Sequence, residues 1–219
     1  MSENIDHTCQ IYLISPPVIE NIDDFCATLT AVLSAAPVTC FQLRLKDMNG
    51  NTPDDSAIIQ IASAIREICH GNGTLFLLND RPDLALKVRA DGVHIGQSDM
   101  AANTARKLLG KEAIIGVTCH DSKELAFEAA QMGADYVAFG AFFETSTKTT
   151  QYRPELELLT WWQEAIEIPC VAIGGITPEN AEQVIKAGAD FIAISSSVWD
   201  SAAPIKAIKD LSNLCQSNS

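Results

Sequence analysis

The stretch Phe-Gln-Leu-Arg-Leu-Lys-Asp, residues 41–47, alternates apolar and polar side chains without a break. Because successive side chains of an extended strand point to opposite faces, Gln42, Arg44 and Lys46 share one face. Two cations are costly to bury alone, so this face must meet water, carboxylates or an anionic ligand. The stretch therefore indicates either an edge strand with a solvated face or a strand that lines an anion site.

The rest of the chain alternates short apolar runs with longer amphipathic segments. We predict strands at residues 10–15, 39–45, 75–79, 92–95, 113–117, 136–142, 170–173 and 191–195. Helices are predicted at residues 22–34, 54–70, 82–88, 101–109, 123–132, 155–165, 178–187 and 204–214. Eight strand-helix units in 219 residues favour the α/β class and a single (β/α)8 TIM barrel over a doubly wound sheet. In a closed barrel the polar face of residues 41–47 points to the upper interior, which weakens the edge-strand alternative.

A weak internal repeat supports the barrel. The sequences Arg-Ala-Asp-Gly at 89–92, Gly-Ala-Asp-Tyr at 133–136 and Gly-Ala-Asp-Phe at 188–191 each end a predicted helix and open a predicted strand. Glycine just past a helix supplies a left-handed cap, and aspartate favours a tight turn. Because these segments precede strands, we expect them on the lower face of the barrel, where residues serve stability.

Composition limits the partners and the compartment. The formal net charge of −13 disfavours nucleic acid or an anionic membrane surface as the main partner. The sequence contains no secretory signal pattern and no run approaching the roughly 18 apolar residues of a membrane helix. Seven cysteines without a Cys-x-x-Cys pair are typical of reduced, packing thiols. We expect a cytoplasmic protein with one domain over residues 1–219, its barrel at about 10–214.

Polar residues are concentrated where the predicted strands end, and in barrels these ends and the loops that follow them form the active site. The residues after strands two to eight include Gln42, Arg44, Lys46, Asn79, Asp80, Asp99, Thr118, His120, Thr145, Thr147, Lys148, Gly175, Ser195 and Ser196. Strand one offers none. His120 could act as a base, but a hydrogen-bonded structural histidine is the favoured interpretation, and His94 is expected to be buried within its strand.

Asp80 and Asp99 follow neighbouring predicted strands and could bind one cation together. Oxygen ligands without a nearby cysteine or paired histidine favour Mg²⁺ over zinc. Alone, either aspartate would be interpreted as a helix cap, and Asp80 before Arg81 and Pro82 fits that pattern. The pair leaves the two interpretations evenly matched.

The loops after strands seven and eight favour a phosphate site. Gly174 and Gly175 permit close backbone approach, and barrels commonly bind phosphate at this position through backbone N–H groups. The alternative is a simple turn into the next helix. Thr145, Thr147 and Lys148 form a hydroxyl-rich loop with a cation, which suits a phosphate or a ring substituent as well as it suits solvent.

In combination, six of these motifs resemble the thiamine phosphate synthase family, whose members are (β/α)8 enzymes. The resemblance extends from about residue 11 to residue 201. The motifs are Gln-Leu-Arg-Leu-Lys at 42–46, Asn-Asp at 79–80, Ala-Asp-Gly-Val-His-Ile-Gly-Gln-Ser-Asp at 90–99, Gly-Ala-Asp-Tyr at 133–136, Thr-Ser-Thr-Lys at 145–148 and Ala-Ile-Gly-Gly-Ile at 172–176.

The resemblance implies a transferase that joins hydroxymethylpyrimidine diphosphate to a thiazole phosphate and releases pyrophosphate. The residues implied for the pyrimidine diphosphate are Gln42, Arg44, Lys46, Asn79, Thr118 and Lys148. Those implied for the thiazole phosphate are Thr145, Thr147, Gly175, Ser195 and Ser196, and Asp80 and Asp99 would hold Mg²⁺. The family's chemistry is dissociative: pyrophosphate leaves first, and the thiazole nitrogen captures the pyrimidine cation. This chemistry needs no nucleophile, and the sequence shows no Ser-His-Asp or Cys-His arrangement.

The sequence departs from the family pattern at three positions. Thr118 stands where the family usually has serine, which keeps the hydroxyl. Ala141 and Glu144 stand where prolines are common, so we expect a less rigid loop before Thr145. Glu144 also adds a negative charge near an anion site. A glutamate at this position resembles the pattern of the related thiazole tautomerases. A tautomerase-like isomerase is therefore one alternative, and a non-catalytic phosphate-ligand sensor on the same barrel is another.

Overall fold

The structure is a computed structural model and describes residues 8–47, 49–145 and 151–217. Its strands in these ranges are β1 (Gln10–Ile14), β2 (Cys40–Leu43), β3 (Leu75–Asn79), β4 (Gly92–Ile95), β5 (Ile114–His120), β6 (Tyr136–Gly140), β7 (Cys170–Ile173) and β8 (Phe191–Ile194). All pair in parallel and in chain order, and β8 pairs with β1 to close the barrel. The predicted (β/α)8 architecture is confirmed. A closed barrel has no edge, so the edge-strand alternative for residues 41–47 is wrong.

Helices cover the outside of the barrel. In the described ranges they are α1 (Ile22–Ala35), α2 (Asp55–Gly71), α3 (Pro82–Val88), α4 (Ala102–Leu109), α5 (Lys123–Gln131), α6 (Glu157–Ala165), α7 (Ala181–Lys186), α8 (Ser196–Trp199) and α9 (Pro204–Ser217). The short α8 was not predicted, because four residues are too few to show a helical period. β5 runs three residues past its predicted end, whereas β2 stops at Leu43 and leaves Arg44 and Lys46 just beyond it.

The alternation in residues 41–47 separates two apolar layers. Phe41, Leu43 and Leu45 are buried in the outer core, between the barrel and its helices. Cys40 lies in a separate cluster inside the barrel, and Gln42 on the same strand face is only 2% exposed. Each fully buried large apolar side chain stabilises the fold by about 1.5–3 kcal/mol. The outer layer therefore supplies much of the stability, while the inner layer admits polar groups.

The Ala-Asp repeat has a clear structural role at the lower face. Each aspartate precedes an even-numbered strand and accepts a hydrogen bond from the backbone N–H near the start of the odd-numbered strand beside it. The aspartates and the residues whose N–H they bind are Asp91 and Phe76, Asp135 and Ile115, and Asp190 and Cys170, all at 2.7 Å. The repeat therefore supplies acceptors for backbone N–H groups near the starts of β3, β5 and β7.

Two predictions from composition can be checked against the structure. All seven cysteines lie in the described ranges and are free thiols, as predicted. Among the helices of the described residues, none combines the length and the apolar character that crossing a membrane requires.

Candidate active site

A cavity of about 340 Å³ opens at the carboxyl ends of the strands. Every predicted site residue within the described ranges lines it. These residues are Gln42, Arg44, Lys46, Asn79, Asp80, Asp99, Thr118, Thr145, Gly175, Ser195 and Ser196. The other two predicted residues, Thr147 and Lys148, lie outside the described residues. The barrel thus brings together groups from seven of its strands, β2 to β8, and from the loops that follow them.

The carboxylates of Asp80 and Asp99 lie side by side in this cavity. Asp80 accepts an ion-paired hydrogen bond from Lys46 Nζ at 2.8 Å, and Asp99 Oδ2 accepts the Gly96 N–H at 2.7 Å. Burial raises the pKa of the Asp99 carboxyl, and the neighbouring Asp80 charge raises it further, against the lowering effect of the Gly96 hydrogen bond. Two adjacent carboxylates of this kind repel each other, so the site favours an added cation.

Neither aspartate caps a helix, so the capping interpretation is wrong for both. The N-cap residue of α3 is Arg81 and that of α4 is Ala101. Neither N-cap makes a side-chain capping hydrogen bond. Asp80 instead adopts a left-handed backbone conformation with φ of 61°, which is uncommon for a residue other than glycine. This conformation turns the chain sharply between β3 and α3 and leaves the carboxylate at the cavity.

The donor set fits Mg²⁺. Mg²⁺ is commonly held by one or two carboxylates, with waters and substrate phosphates in its remaining positions. Asp80 and Asp99 supply two such oxygen ligands beside a cavity that also contains cationic side chains. Within residues 8–47, 49–145 and 151–217, no group of three or more His, Cys, Asp or Glu side chains could hold a metal by itself. A metal here would therefore complete its coordination with waters or with oxygens of the substrate.

Arg44 is the second cation of the rim and is held by backbone contacts. Its Nη1 donates to the carbonyl of Lys46 at 3.2 Å, and its backbone N–H donates to Ser15 Oγ at 2.9 Å. Burial lowers the pKa of the Arg44 guanidinium, and the Asp80 charge partly offsets this. With a pKa normally above 12, the guanidinium stays charged and is available to an anion in the cavity.

Strand one contributes to the site, contrary to the prediction that it offers nothing. Ser15 follows β1, is 2% exposed and lines the cavity. Besides its contact with Arg44, its carbonyl accepts a hydrogen bond from Ser195 Oγ at 3.1 Å. Ser15 therefore connects the cationic side of the cavity with the loop after β8. A lone serine after an apolar strand gave no signal of this in the sequence.

The opposite side of the cavity is made by the loops after β6, β7 and β8. Gly174 and Gly175 have φ values of 103° and 64°. A Cβ on Gly175 would lie 2.0 Å from the carbonyl oxygen of Glu144, and one on Gly174 would lie 2.2 Å from the Cβ of Ala141. Glycine is thus required at both positions. The Glu144 side chain itself is exposed, while its backbone packs against Gly175.

His120 lies at the end of β5 and lines the cavity. Its backbone is left-handed with φ of 56°, and its ring stacks on Tyr152 with a centroid distance of 4.1 Å and an angle of 21°. The ring stack gives His120 a packing contact at the rim, and its hydrogen-bonded structural role stays a prediction.

Three residues that the sequence did not single out as site residues support the cavity from within the barrel: Tyr12 and Tyr136 lie beneath it, and His94 lines it. Tyr12 donates to Gln42 Oε1 at 3.0 Å, and the amide of Gln42 donates from Nε2 to Asn79 Oδ1 at 2.5 Å. Tyr136 and His94 continue these contacts across the barrel. His94 is buried, as expected. Tyr12 and Ile14 are two residues apart in β1, so their side chains share one face of the strand. This spacing was the sequence feature that could have indicated an interior position for Tyr12.

The fold and the site together define the class of this protein. It is a (β/α)8 barrel protein whose site, built from cations, carboxylates and hydroxyls, lies at the carboxyl ends of the strands.

The family model described as thiamine monophosphate synthase matches residues 11–198. The thiamine-phosphate synthase of Rhodospirillum centenum is 49% identical over 207 residues, which are 94% of this chain and 97% of the relative. That of Erythrobacter litoralis is 46% identical, with 92% and 94% covered.

A solved structure agrees with these sequence relatives. The thiamine phosphate pyrophosphorylase from Pyrococcus furiosus superimposes with a TM-score of 0.83 at 32% identity, covering 98% of this chain and 99% of that one. The chain belongs to the thiamine monophosphate synthase family. The relatives give no support to the tautomerase or sensor alternatives.

Proposed function

We propose that this protein is a thiamine phosphate synthase, a transferase that condenses hydroxymethylpyrimidine diphosphate with thiazole phosphate to give thiamine phosphate and pyrophosphate. The observation that carries the proposal is the convergence of Arg44, Lys46, Asp80 and Asp99 on one cavity, in a chain of this family. Cations beside paired carboxylates suit a metal-bound diphosphate, whereas either set alone would not.

In this proposal the cationic side of the cavity binds the pyrimidine diphosphate. Arg44 and Lys46 stabilise the negative charge that accumulates on pyrophosphate as it leaves, because charge stabilisation at the leaving group lowers the barrier of a dissociative step. Asn79 and Thr118 hold the pyrimidine ring, with Gln42 behind them. Lys148, outside the described residues, joins this set. The site requires no nucleophilic side chain, since the thiazole nitrogen attacks the pyrimidine cation directly.

Asp80 and Asp99 would hold Mg²⁺, which when bound neutralises charge on the diphosphate oxygens. The residues of the chain do the remaining work: Lys46 balances the charge of Asp80 through their ion pair, and the Gly96 N–H orients Asp99. Both carboxylates are therefore fixed before the substrate arrives.

The opposite side of the cavity binds the thiazole phosphate. Gly175, Ser195 and Ser196 line it together with Thr145, and Thr147 from outside the described residues is assigned to the same group. The glycine backbone allows the phosphate to approach closely. Placing the acceptor opposite the diphosphate aims its ring nitrogen at the reacting carbon, so positioning supplies the rest of the catalysis.

The seven free thiols support the reducing cytoplasm as the compartment.

The proposal is tested by pyrophosphate release from the purified protein with both substrates, with Mg²⁺ or with a chelator. We expect release only with both substrates and Mg²⁺, together with thiamine phosphate as product. The substitutions Asp80→Asn and Asp99→Asn should each lower kcat/KM by about 100-fold or more. Asp210→Asn, on the distant helix α9, is the control and should retain full activity. Folded protein without metal-dependent release would refute the function, and full activity in both aspartate variants would remove the metal assignment.

A further inference from the structure

A continuous hydrogen-bonded chain of side chains crosses the barrel interior below the cavity. It joins residues from six strands, and we call it the interior chain. In order, its members are Asn79, Gln42, Tyr12, Tyr136, His94 and Thr118. The four middle members are buried, and both end members line the cavity, as do Gln42 and His94, whereas Tyr12 and Tyr136 do not. Both ends of the chain are therefore open to a ligand in the cavity, and its two central tyrosines are not.

The first half runs from Asn79 to the two tyrosines. Gln42 Nε2 donates to Asn79 Oδ1 at 2.5 Å, and Tyr12 donates its hydroxyl proton to Gln42 Oε1 at 3.0 Å. The hydroxyl oxygens of Tyr12 and Tyr136 are 2.8 Å apart. The second half runs through the imidazole of His94. Its Nδ1 lies 2.9 Å from the Tyr136 hydroxyl and its Nε2 lies 2.7 Å from Thr118 Oγ1.

These contacts have one consistent direction of proton donation. A tyrosine hydroxyl has a single proton, and Tyr12 gives its proton to Gln42, so Tyr136 must donate to Tyr12. The Tyr136 oxygen then accepts from His94, which places the imidazole proton on Nδ1. His94 Nε2 is left as an acceptor, and Thr118 donates to it. Burial raises the pKa of both tyrosines well above the usual range, so each hydroxyl keeps its proton.

We propose that Tyr12, Tyr136 and His94 are positioning residues that fix which atoms of Asn79 and Thr118 face the pyrimidine. Because Asn79 Oδ1 accepts from Gln42, its NH₂ group is the part that can donate to a ligand. Because the Thr118 proton is directed to His94, its oxygen offers a lone pair. A ring with an acceptor nitrogen and a donor amino group, as in an aminopyrimidine, matches this pair. The inference rests on the proposed function, in which Asn79 and Thr118 hold that ring.

The packing around Tyr136 shows that the barrel accommodates this chain specifically. A Cβ on Gly116 of β5 would lie 1.8 Å from the Tyr136 ring, so only glycine leaves room for the tyrosine. The Tyr136 ring stacks on His94 with a centroid distance of 5.7 Å and meets Tyr12 edge-on at 5.8 Å. The three rings thus hold one another in place around the hydrogen bonds.

Kinetics of the variant Tyr136→Phe test the positioning role, because this substitution keeps the ring and removes the central hydroxyl. We expect the KM for the pyrimidine diphosphate to rise about tenfold, with the KM for the thiazole phosphate changed less than about twofold. Thr74→Val is the control, since it removes a buried hydroxyl that donates to the Val38 carbonyl at the lower end of β3. Unchanged pyrimidine KM in Tyr136→Phe, or an equal rise in the control, would overturn the proposal. Tyr12→Phe provides the same test if Tyr136→Phe does not fold.

The direction of the chain is tested in the wild-type protein by ¹⁵N NMR of the histidine side chains. His94 is one of four histidines and can be assigned by its loss in His94→Gln. We expect protonated Nδ1 and unprotonated Nε2. A proton on Nε2, or on both nitrogens, would overturn the inferred direction. This measurement needs no substrate, so its failure is distinguishable from the failure of the synthase function, which would appear as a lack of turnover in wild-type protein.

Discussion

At the scale of single residues, the candidate site contains several groups held in unfavourable states. Asp80 has a left-handed backbone, and Arg44 is half-buried beyond the end of its strand. A non-glycine residue in a sparsely populated backbone region costs about 1–3 kcal/mol and persists where the surrounding structure enforces it. Two of the three non-glycine residues with left-handed backbones among the described residues, Asp80 and His120, line the cavity, whereas the third, Arg89, ends α3 at the lower face.

Gly116 gives the most specific residue-scale prediction. Gly116→Ala would place a methyl group inside the Tyr136 ring, so the ring must move and the interior chain must break. We expect a loss of about 1–3 kcal/mol in the free energy of unfolding. The pyrimidine KM should rise as in Tyr136→Phe. Denaturant titration and steady-state kinetics measure the two effects.

Gly71→Ala is the matched control for this change. Gly71 is the last residue of α2, and a Cβ there meets nothing within 4 Å. Its stability should change by less than about 1 kcal/mol and its kinetics should not change. Normal stability in Gly116→Ala would contradict the packing described around Tyr136.

The residues of the rim could be predicted from the sequence, as could Gln42, Asn79 and Thr118 of the interior chain, but the roles of Tyr12, Tyr136 and His94 could not. The alternation in residues 41–47 identified Gln42, Arg44 and Lys46, because cations on an otherwise apolar strand are conspicuous. Tyr12 lies among apolar neighbours and resembles an ordinary core residue. Its hydroxyl partner on Tyr136 is 124 residues away, and only barrel closure brings the two together. The capping interpretation of Asp80 was wrong because no local sequence pattern predicts its left-handed backbone, which places the N-cap at Arg81 instead.

At the scale of elements, the Ala-Asp repeat joins neighbouring strands at the lower face. The carboxylate of Asp190, just before β8, accepts the buried N–H of Cys170 at the start of β7. Asp190→Ala should therefore leave this N–H without its carboxylate acceptor and cost about 1–3 kcal/mol. We expect the melting temperature to fall by roughly 2–4 °C for each kcal/mol lost. Calorimetry measures this change, and activity assayed well below the melting temperature should be normal.

Asp210→Ala is the comparison for that measurement. Asp210 forms an exposed ion pair with Lys206 one turn away on α9, a kind of contact worth at most about 0.5 kcal/mol. The two aspartates should thus differ clearly in their effect on melting. Equal melting temperatures for Asp190→Ala and Asp210→Ala would show that the repeat does not stabilise the strands.

The sequence predicted that the repeat forms helix caps and tight turns. It did not predict the hydrogen bonds from the neighbouring strand to the aspartates. The position of aspartate between helix and strand is a local property and was visible. The strand that receives its carboxylate depends on which strands pair, and this is fixed only by the closed barrel. The same reason explains the error over strand one, since Ser15 gains its role from contacts with Arg44 and Ser195.

At the scale of the whole molecule, the barrel protects most of its thiols. Burial raises the pKa of Cys69, Cys119 and Cys170 to about 12, whereas Cys26 is only partly buried and its pKa is raised by burial and by Asp23. A raised pKa means less reactive thiolate at neutral pH. The pKa of the Cys215 thiol is instead lowered by its hydrogen bond with Cys9, but Cys215 is buried. Because Cys26 is the one cysteine that is not buried, we expect only Cys26 to react readily with a thiol reagent in folded protein, faster as the pH rises from 7 to 9, and all seven to react after unfolding.

Cys26→Ser is the control and should abolish the fast reaction. Several thiols reacting at the rate of Cys26 in native protein would contradict the packing.

Unfolding of the same protein tests the prediction that residues 1–219 form one domain. We expect a single cooperative unfolding transition.

The net charge of −13 makes the cationic rim more important for the molecule as a whole. An acidic protein repels anionic substrates at long range, so binding must depend on Arg44, Lys46 and a metal at close range. The central claim is therefore that diphosphate and metal are bound together between these cations and the carboxylates of Asp80 and Asp99.

A crystal structure with pyrophosphate and Mn²⁺, which gives an anomalous signal that Mg²⁺ lacks, tests this claim most directly. The account predicts one anomalous peak that contacts both Asp80 and Asp99, with pyrophosphate bound to that metal and to Arg44 and Lys46. A metal bound elsewhere, or pyrophosphate held at Gly175 and Ser195 without contact to the two aspartates, would contradict it.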